Sequence, residues 1–228
     1  MRETPVILVH GFMATPALMR PMQHQLKKRG FEAYLSNLSP FCIQDIRRLA
    51  TELSETIERV CFVEDVDIVD VVGVSLGGIT ALHYQQSVAS QPRIRSLVAI
   101  GTPFLGTSYP RPYLPVLGRV SAGVWQVLPG SSFLAEMLDA GIPAGTVVTS
   151  IAMEGDPISP PGQCALPGAD NIVLRGVQTP VTHQLLVASP VALQGVVSAL
   201  EAGDQLAATP EGMDSTSSQP DAGSSPVM

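Results

Sequence analysis

Gly73-Val74-Ser75-Leu76-Gly77-Gly78 is the segment of this chain whose residue types and spacing most directly suggest chemistry. An apolar run at 66–74 precedes it and a helical pattern at 76–89 follows. Ser75 therefore falls on a tight strand-to-helix turn, its hydroxyl exposed above a sheet edge. Gly73 and Gly77 have no Cβ, which lets neighbouring backbone close around that turn. A serine hydroxyl is a poor nucleophile alone and needs a histidine base. The candidates are His10, His24, His83 and His183. In this architecture the order is serine, acid, histidine, which leaves His83 and His183. His83 sits on the helix that Ser75 opens, roughly 12 Å along its axis, too far to take the proton. His183, expected in a loop between the last strand and the last helix, is the better-placed base.

An orienting acid should follow a strand between those two residues. Asp156 does so, in Glu154-Gly155-Asp156-Pro157 after the strand pattern 146–152, with Glu154 as its near competitor. Asp170 precedes the strand 171–174 and so belongs at the opposite sheet edge. Asp139 falls in an irregular stretch. Asp156 would accept the His183 Nδ1–H and hold the productive tautomer. The segment His10-Gly11-Phe12-Met13 ends the first strand pattern, and Gly11 lets it bend toward the serine. The backbone N–H groups of Phe12 and Leu76 are then the expected oxyanion donors. His10 reads as a residue that steadies this loop.

These residues need a scaffold. Strand patterns at 5–10, 31–36, 66–74, 94–100, 146–152 and 171–174 alternate with helical ones at 16–29, 43–62, 76–89 and 190–200. Buried apolar runs dominate the strands, which predicts a mostly parallel sheet of about six strands with helices on both faces. The alternation breaks over 104–145, a proline-rich apolar insertion holding Trp125, the sole tryptophan. A segment that long inside one domain is usually functional. Residues 1–202 form the expected domain, and 203–228, with four acidic residues and no Lys or Arg, an expected disordered acidic tail.

Composition narrows the function classes. Hydrophobic residues make up 45% and charged residues 14% of 228, which suits one cored domain. A formal net charge of −7 and only two lysines, Lys27 and Lys28, argue against a nucleic-acid partner or a polybasic membrane patch. No apolar run approaches the ~20 residues of a spanning helix, so no stable membrane insertion is expected. Cys42, Cys61 and Cys164 form no disulfide or zinc framework. No leader pattern precedes the first strand, so a cytoplasmic location is expected unless a signal peptide has been removed.

Taken in order, VILVHGF, GVSLGG, IGTPFLGT (100–107), LPGSSFL (128–134), GDPISPP (155–161) and THQLLVASP (182–190) resemble bacterial lipases and esterases of the α/β-hydrolase superfamily. The resemblance spans residues 5–190. It implies an α/β-hydrolase fold with a lid or cap insertion, and it favours Asp156 over Glu154. Val74 stands where that family usually has His or Tyr, which changes local packing only. The chain looks like a minimal member, starting on the strand that leads to HGF. No calcium ligands can be matched, so no metal and no cofactor are expected.

The expected activity is a serine carboxylic-ester hydrolase acting through an acyl-enzyme on a small-molecule or lipid ester. Phe104, Met13 and Trp125 are the expected substrate-binding residues, with Trp125 on an acyl-binding lid or in a packed cap. The same machinery would also serve acyl transfer or thioester cleavage. A non-catalytic binding protein on this fold is the alternative from another class.

Overall fold

A computed structural model describes residues 4–109, 111, 114–175 and 182–208. Six strands form one sheet: β1 (Val6–Val9), β2 (Ala33–Leu35), β3 (Val69–Val74), β4 (Ile94–Ile100), β5 (Val147–Met153) and β6 (Asp170–Leu174). Their order is β2-β1-β3-β4-β5-β6, and every neighbouring pair is parallel. The helices are α1 (Arg20–Lys28), α2 (Ile46–Glu64), α3 (Leu76–Ser87), α4 (Leu114–Val120), α5 (Ala122–Gln126), α6 (Ser132–Ala140), α7 (Pro161–Cys164), α8 (Thr182–Leu185) and α9 (Pro190–Ala208).

Period-two alternation inside each strand splits the core between the two faces. Ile7, Val9, Val71, Leu97 and Ala99 pack toward α2, α3 and α6. Val6, Leu8, Val72, Val98 and Ile100 pack toward α1 and α9. Helix α2 shows the expected amphipathic stripe, with Ile46, Leu49, Ala50, Leu53, Ile57 and Val60 buried. Its start is capped by Asp45, whose carboxylate accepts from the Arg47 N–H at 2.8 Å. Helix α3 is buried on nearly all sides, from Leu76 through Gln85. That is why the GVSLGG segment runs into a helix with so little polar surface.

The strand order places a topological switch at β1. The chain leaves β1 for β2 on one side and returns to β3 on the other, so loops diverge at the carboxyl ends of β1 and β3. Such a crevice is where open α/β sheets hold ligands.

Three expectations change. Helix α9 runs to Ala208, so the start of the expected tail is helical. Gly203 is buried against Ser96, and Asp204 pairs with Arg95 at 2.6 Å. Residues 209–228 lie outside the described residues. His183 sits in the single turn α8 rather than in a loop. The inner half of the 104–145 segment is core: Phe133, Leu134 and Met137 of α6 join the α2–α3 cluster. Helix α5 is tied to the start of α2, with Gln126 Oε1 accepting from the Ile46 N–H at 2.8 Å and Gln126 Nε2 donating to Asp45 at 2.9 Å. Cys42, Cys61 and Cys164 are all buried and free. Among the described residues, no single helix is long and apolar enough to cross a membrane.

Candidate active site

Ser75 joins β3 to α3 with φ 55° and ψ −123°, a backbone that a side-chain-bearing residue adopts only under constraint. The constraint is visible. The Ser75 N–H donates to Ile100 O at 2.8 Å, and glycine backbones crowd in from both sides. A Cβ on Gly77 would sit 2.4 Å from Val9 O, and one on Gly73 would sit 2.5 Å from Gly78 N. Only glycine permits these approaches, which hold β1, β3 and α3 together at the turn.

The β1 loop closes on the same turn. A Cβ on Gly11 would meet Val74 O at 2.8 Å and Ser75 Cβ at 2.9 Å, so this loop passes directly over the elbow. Leu76 opens α3 and, as its first residue, has no intrahelical acceptor for its N–H. Among the described residues neither the Phe12 nor the Leu76 N–H has an acceptor. Both N–H groups are thus free, as oxyanion donors would have to be.

His10 steadies the loop from below. It is buried, and its Nδ1–H donates to Gly11 O at 3.1 Å. Burial holds its imidazole below the usual histidine range, partly opposed by hydrogen bonds to the Gly11 and Leu38 carbonyls. A neutral, enclosed ring suits a structural part. From outside, the Met13 N–H donates to Phe41 O at 2.7 Å and the Phe41 N–H donates to Ala14 O at 2.8 Å.

On the other side of Ser75, His183 Nδ1–H donates to Asp156 Oδ2 at 2.7 Å, and the Asp156 side chain is fully buried. The second oxygen, Oδ1, accepts from the Ile158 N–H at 2.8 Å and the Ser159 N–H at 3.0 Å. Three donors therefore hold this carboxylate in one orientation. Glu154 points elsewhere, toward Arg175 at 3.6 Å. Asp170 begins β6, at the far edge of the sheet. His83 packs its ring edge on Phe133 with centroids 5.0 Å apart.

Ser75, Phe12, Leu76, Met13 and His183 all line one cavity of about 530 Å³. The rest of its wall is chiefly apolar, with Leu18, Val124, Val127 and Val187, and among the described residues no Asp, Glu, Lys or Arg borders it. Two expected substrate-binding residues are not in that wall. Phe104 is fully buried in the α2–α3 core, because its segment turns inward right after β4. Trp125 is half exposed and lies over α4, its indole N–H donating to Gly118 O at 3.0 Å. One turn of helix puts Val124 inward and Trp125 outward, which hydrophobicity alone does not reveal.

Gly101 escaped the sequence reading. It has φ +55°, and a Cβ there would sit 3.4 Å from both Asp156 Oδ2 and His183 Cε1, and 2.5 Å from Leu186 Cδ1. Its position directly after β4, next to the elbow strand, was the available signal. Among the described residues no three His, Cys, Asp or Glu side chains converge as a metal site would require.

The parallel six-stranded sheet and the strained serine at the end of β3 define an α/β-hydrolase fold. Solved structures agree. A Bacillus licheniformis lipase, BlEst2 in its mature form, superposes with a TM-score of 0.67 at 16% identity, covering 89% of this chain and 91% of that one. The α/β-hydrolase enzyme MGS-MChE2, from a lagoon-sediment metagenome, gives 0.62 at 17% identity over 89% and 92% of the two chains. A Listeria innocua gene product gives 0.61 at 17% identity over 88% and 94%. No curated protein matches the sequence. The chain belongs to the family described as "Putative serine esterase (DUF676)", whose model matches residues 3–136. It is a hydrolase of the lipase and esterase kind.

Proposed function

We propose that the chain hydrolyses neutral carboxylic esters through a Ser75–His183–Asp156 triad. His183 Nε2 takes the Ser75 proton as Oγ attacks the ester carbonyl, and the Phe12 and Leu76 N–H groups receive the oxyanion. The alkoxide leaves with the proton held on His183, and an acyl-enzyme remains. Water gives up a proton to the same imidazole, attacks the acyl carbon and releases the acid. Asp156 holds the imidazole with Nδ1–H inward, so Nε2 is the free base.

The observation that carries this reading is the 2.7 Å His183–Asp156 hydrogen bond beside the cavity that the elbow serine lines. The uncharged, apolar wall supports short to medium acyl groups and a neutral alcohol portion. A lone charged headgroup would lose its hydration there without a partner. Incubation with an active-site-directed fluorophosphonate tests it. Ser75 is expected to be labelled stoichiometrically, and the Ser75→Ala variant not at all. Absence of labelling in the intact protein would remove the triad assignment.

A further inference from the structure

Thr107 closes the IGTPFLGT segment, and no step of the proposed chemistry uses it. Its surroundings are unusually specific. The residue is buried, at 5% exposure, and lines the cavity together with Ser75, Ile158 and His183. Its Oγ1–H donates to Ile158 O at 2.6 Å, while the same oxygen accepts from the Tyr109 N–H at 3.2 Å. Its own N–H donates to Val127 O at 2.8 Å. The chain reaches this point past Gly106, where a Cβ would collide with Pro129 at 2.6 Å.

Ile158 is the residue whose N–H holds Asp156 Oδ1 at 2.8 Å. Thr107 therefore ties the cavity wall at Val127, through its backbone N–H, to the turn that orients the acid, through its hydroxyl. We propose that Thr107 is a positioning residue for the triad: it fixes the 156–159 turn, and through Asp156 the direction of the His183 ring. This rests on the triad reading above. Without the hydroxyl the partly buried Ile158 carbonyl loses this partner, and the turn is free to seek another. A shift of the acid by a fraction of an ångström changes where Nε2 points, and misplacement of about 1 Å costs on the order of 100-fold in rate.

Thr107→Val keeps the side-chain shape but removes the donor. Thr107→Ser keeps the donor. With a p-nitrophenyl butyrate assay, Thr107→Val is expected to lower kcat by roughly 10- to 100-fold with KM within about twofold, and Thr107→Ser to recover most of that loss. Fluorophosphonate labelling rates should fall in parallel. The decisive arm is a double-mutant cycle: in an Asp156→Asn background, Thr107→Val should slow labelling no further. If Thr107→Val folds poorly, Thr107→Ala carries the same comparison. Unchanged kcat, a change confined to KM, or an equal slowing in both backgrounds overturns the proposal while Ser75 labelling leaves the triad standing. An intact protein that is not labelled overturns both.

Discussion

At the carboxyl ends of the strands, the loops after β1, β3, β4 and β5 carry Met13, Ser75, Gly101 and Gly155 at positive φ. The opposite end also turns through positive φ, at Gly30, Asp65, Gly145 and Gly168, but it concentrates charge. There Arg95 donates to buried Asp70 at 2.5 and 3.0 Å and to Asp204 of α9 at 2.6 Å. Both ends bury a carboxylate held by three donors or by an arginine, yet they do different work. Asp156 faces a cavity through a histidine, whereas the Asp70–Arg95–Asp204 group joins β3, β4 and α9. The strained elbow serine and unpaired donors mark the candidate catalytic end, and satisfied charge marks the opposite one.

This contrast predicts that changes at one end should alter activity and those at the other stability. The largest effect is expected for Asp156→Asn, which should lower kcat by ~10⁴, on the scale known for triad acids. Glu154→Gln should be mild, since among the described residues its carboxylate turns to Arg175. The reverse ranking in steady-state assays would assign the acid role to Glu154.

Next comes Gly11→Ala. Its Cβ would press on Val74 O and Ser75 Cβ, so the β1 loop must lift and carry the Phe12 N–H away. A loss of ~10²–10³ in kcat, the cost of one oxyanion donor, is expected with the fold retained. Near-normal kcat would mean that Phe12 is not a donor.

At the other end the effect should appear in stability and depend on pH. Burial pushes the Asp70 carboxyl up to about 6 from its ordinary 3.8, more than Arg95 lowers it. A carboxyl raised in the folded state binds its proton more tightly there than in the unfolded chain. Its contribution is therefore complete below about pH 4 and is lost as pH rises through about 6, by at most about 3 kcal/mol. Asp70→Asn should flatten that slope in denaturant titrations at pH 4 and pH 7 and leave kcat unchanged. Truncation after Ala202 should lower the melting temperature, because it removes Asp204 and the packing of Gly203 on Ser96. Equal stability of the shortened chain would show that this end is not held by α9.

The smallest effect is expected at Trp125. Its ring covers Gly118 rather than the cavity, so Trp125→Ala should change kcat/KM by less than about threefold and alike for short and long acyl esters. A loss confined to long chains would bring the indole into the acyl path.

Several parts of the candidate site can be read in the residues alone. Ser75 was visible because an elbow needs glycines at fixed offsets between a strand and a helix, a purely local demand. Asp156 and His183 followed from chain order and from which strand end each residue trails. The alternation of apolar runs gave the parallel sheet, and Gly11 announced the bend after β1. What local pattern could not decide was the facing of side chains in the segment between β4 and β5. Phe104 and Trp125 are equally apolar, yet one fills the core and the other lies on the surface, because their orientation depends on where α5 and α6 dock against α2. The extent of α9 was hidden for a related reason. Gly203 and Asp204 resemble tail in composition, and only the nearby Ser96 and Arg95, more than a hundred positions earlier, make them part of the helix. Thr107 and Gly101 likewise acquire meaning only when β4 and β5 lie side by side. Sequence determines what depends on neighbours along the chain, and contacts between distant strands decide the rest.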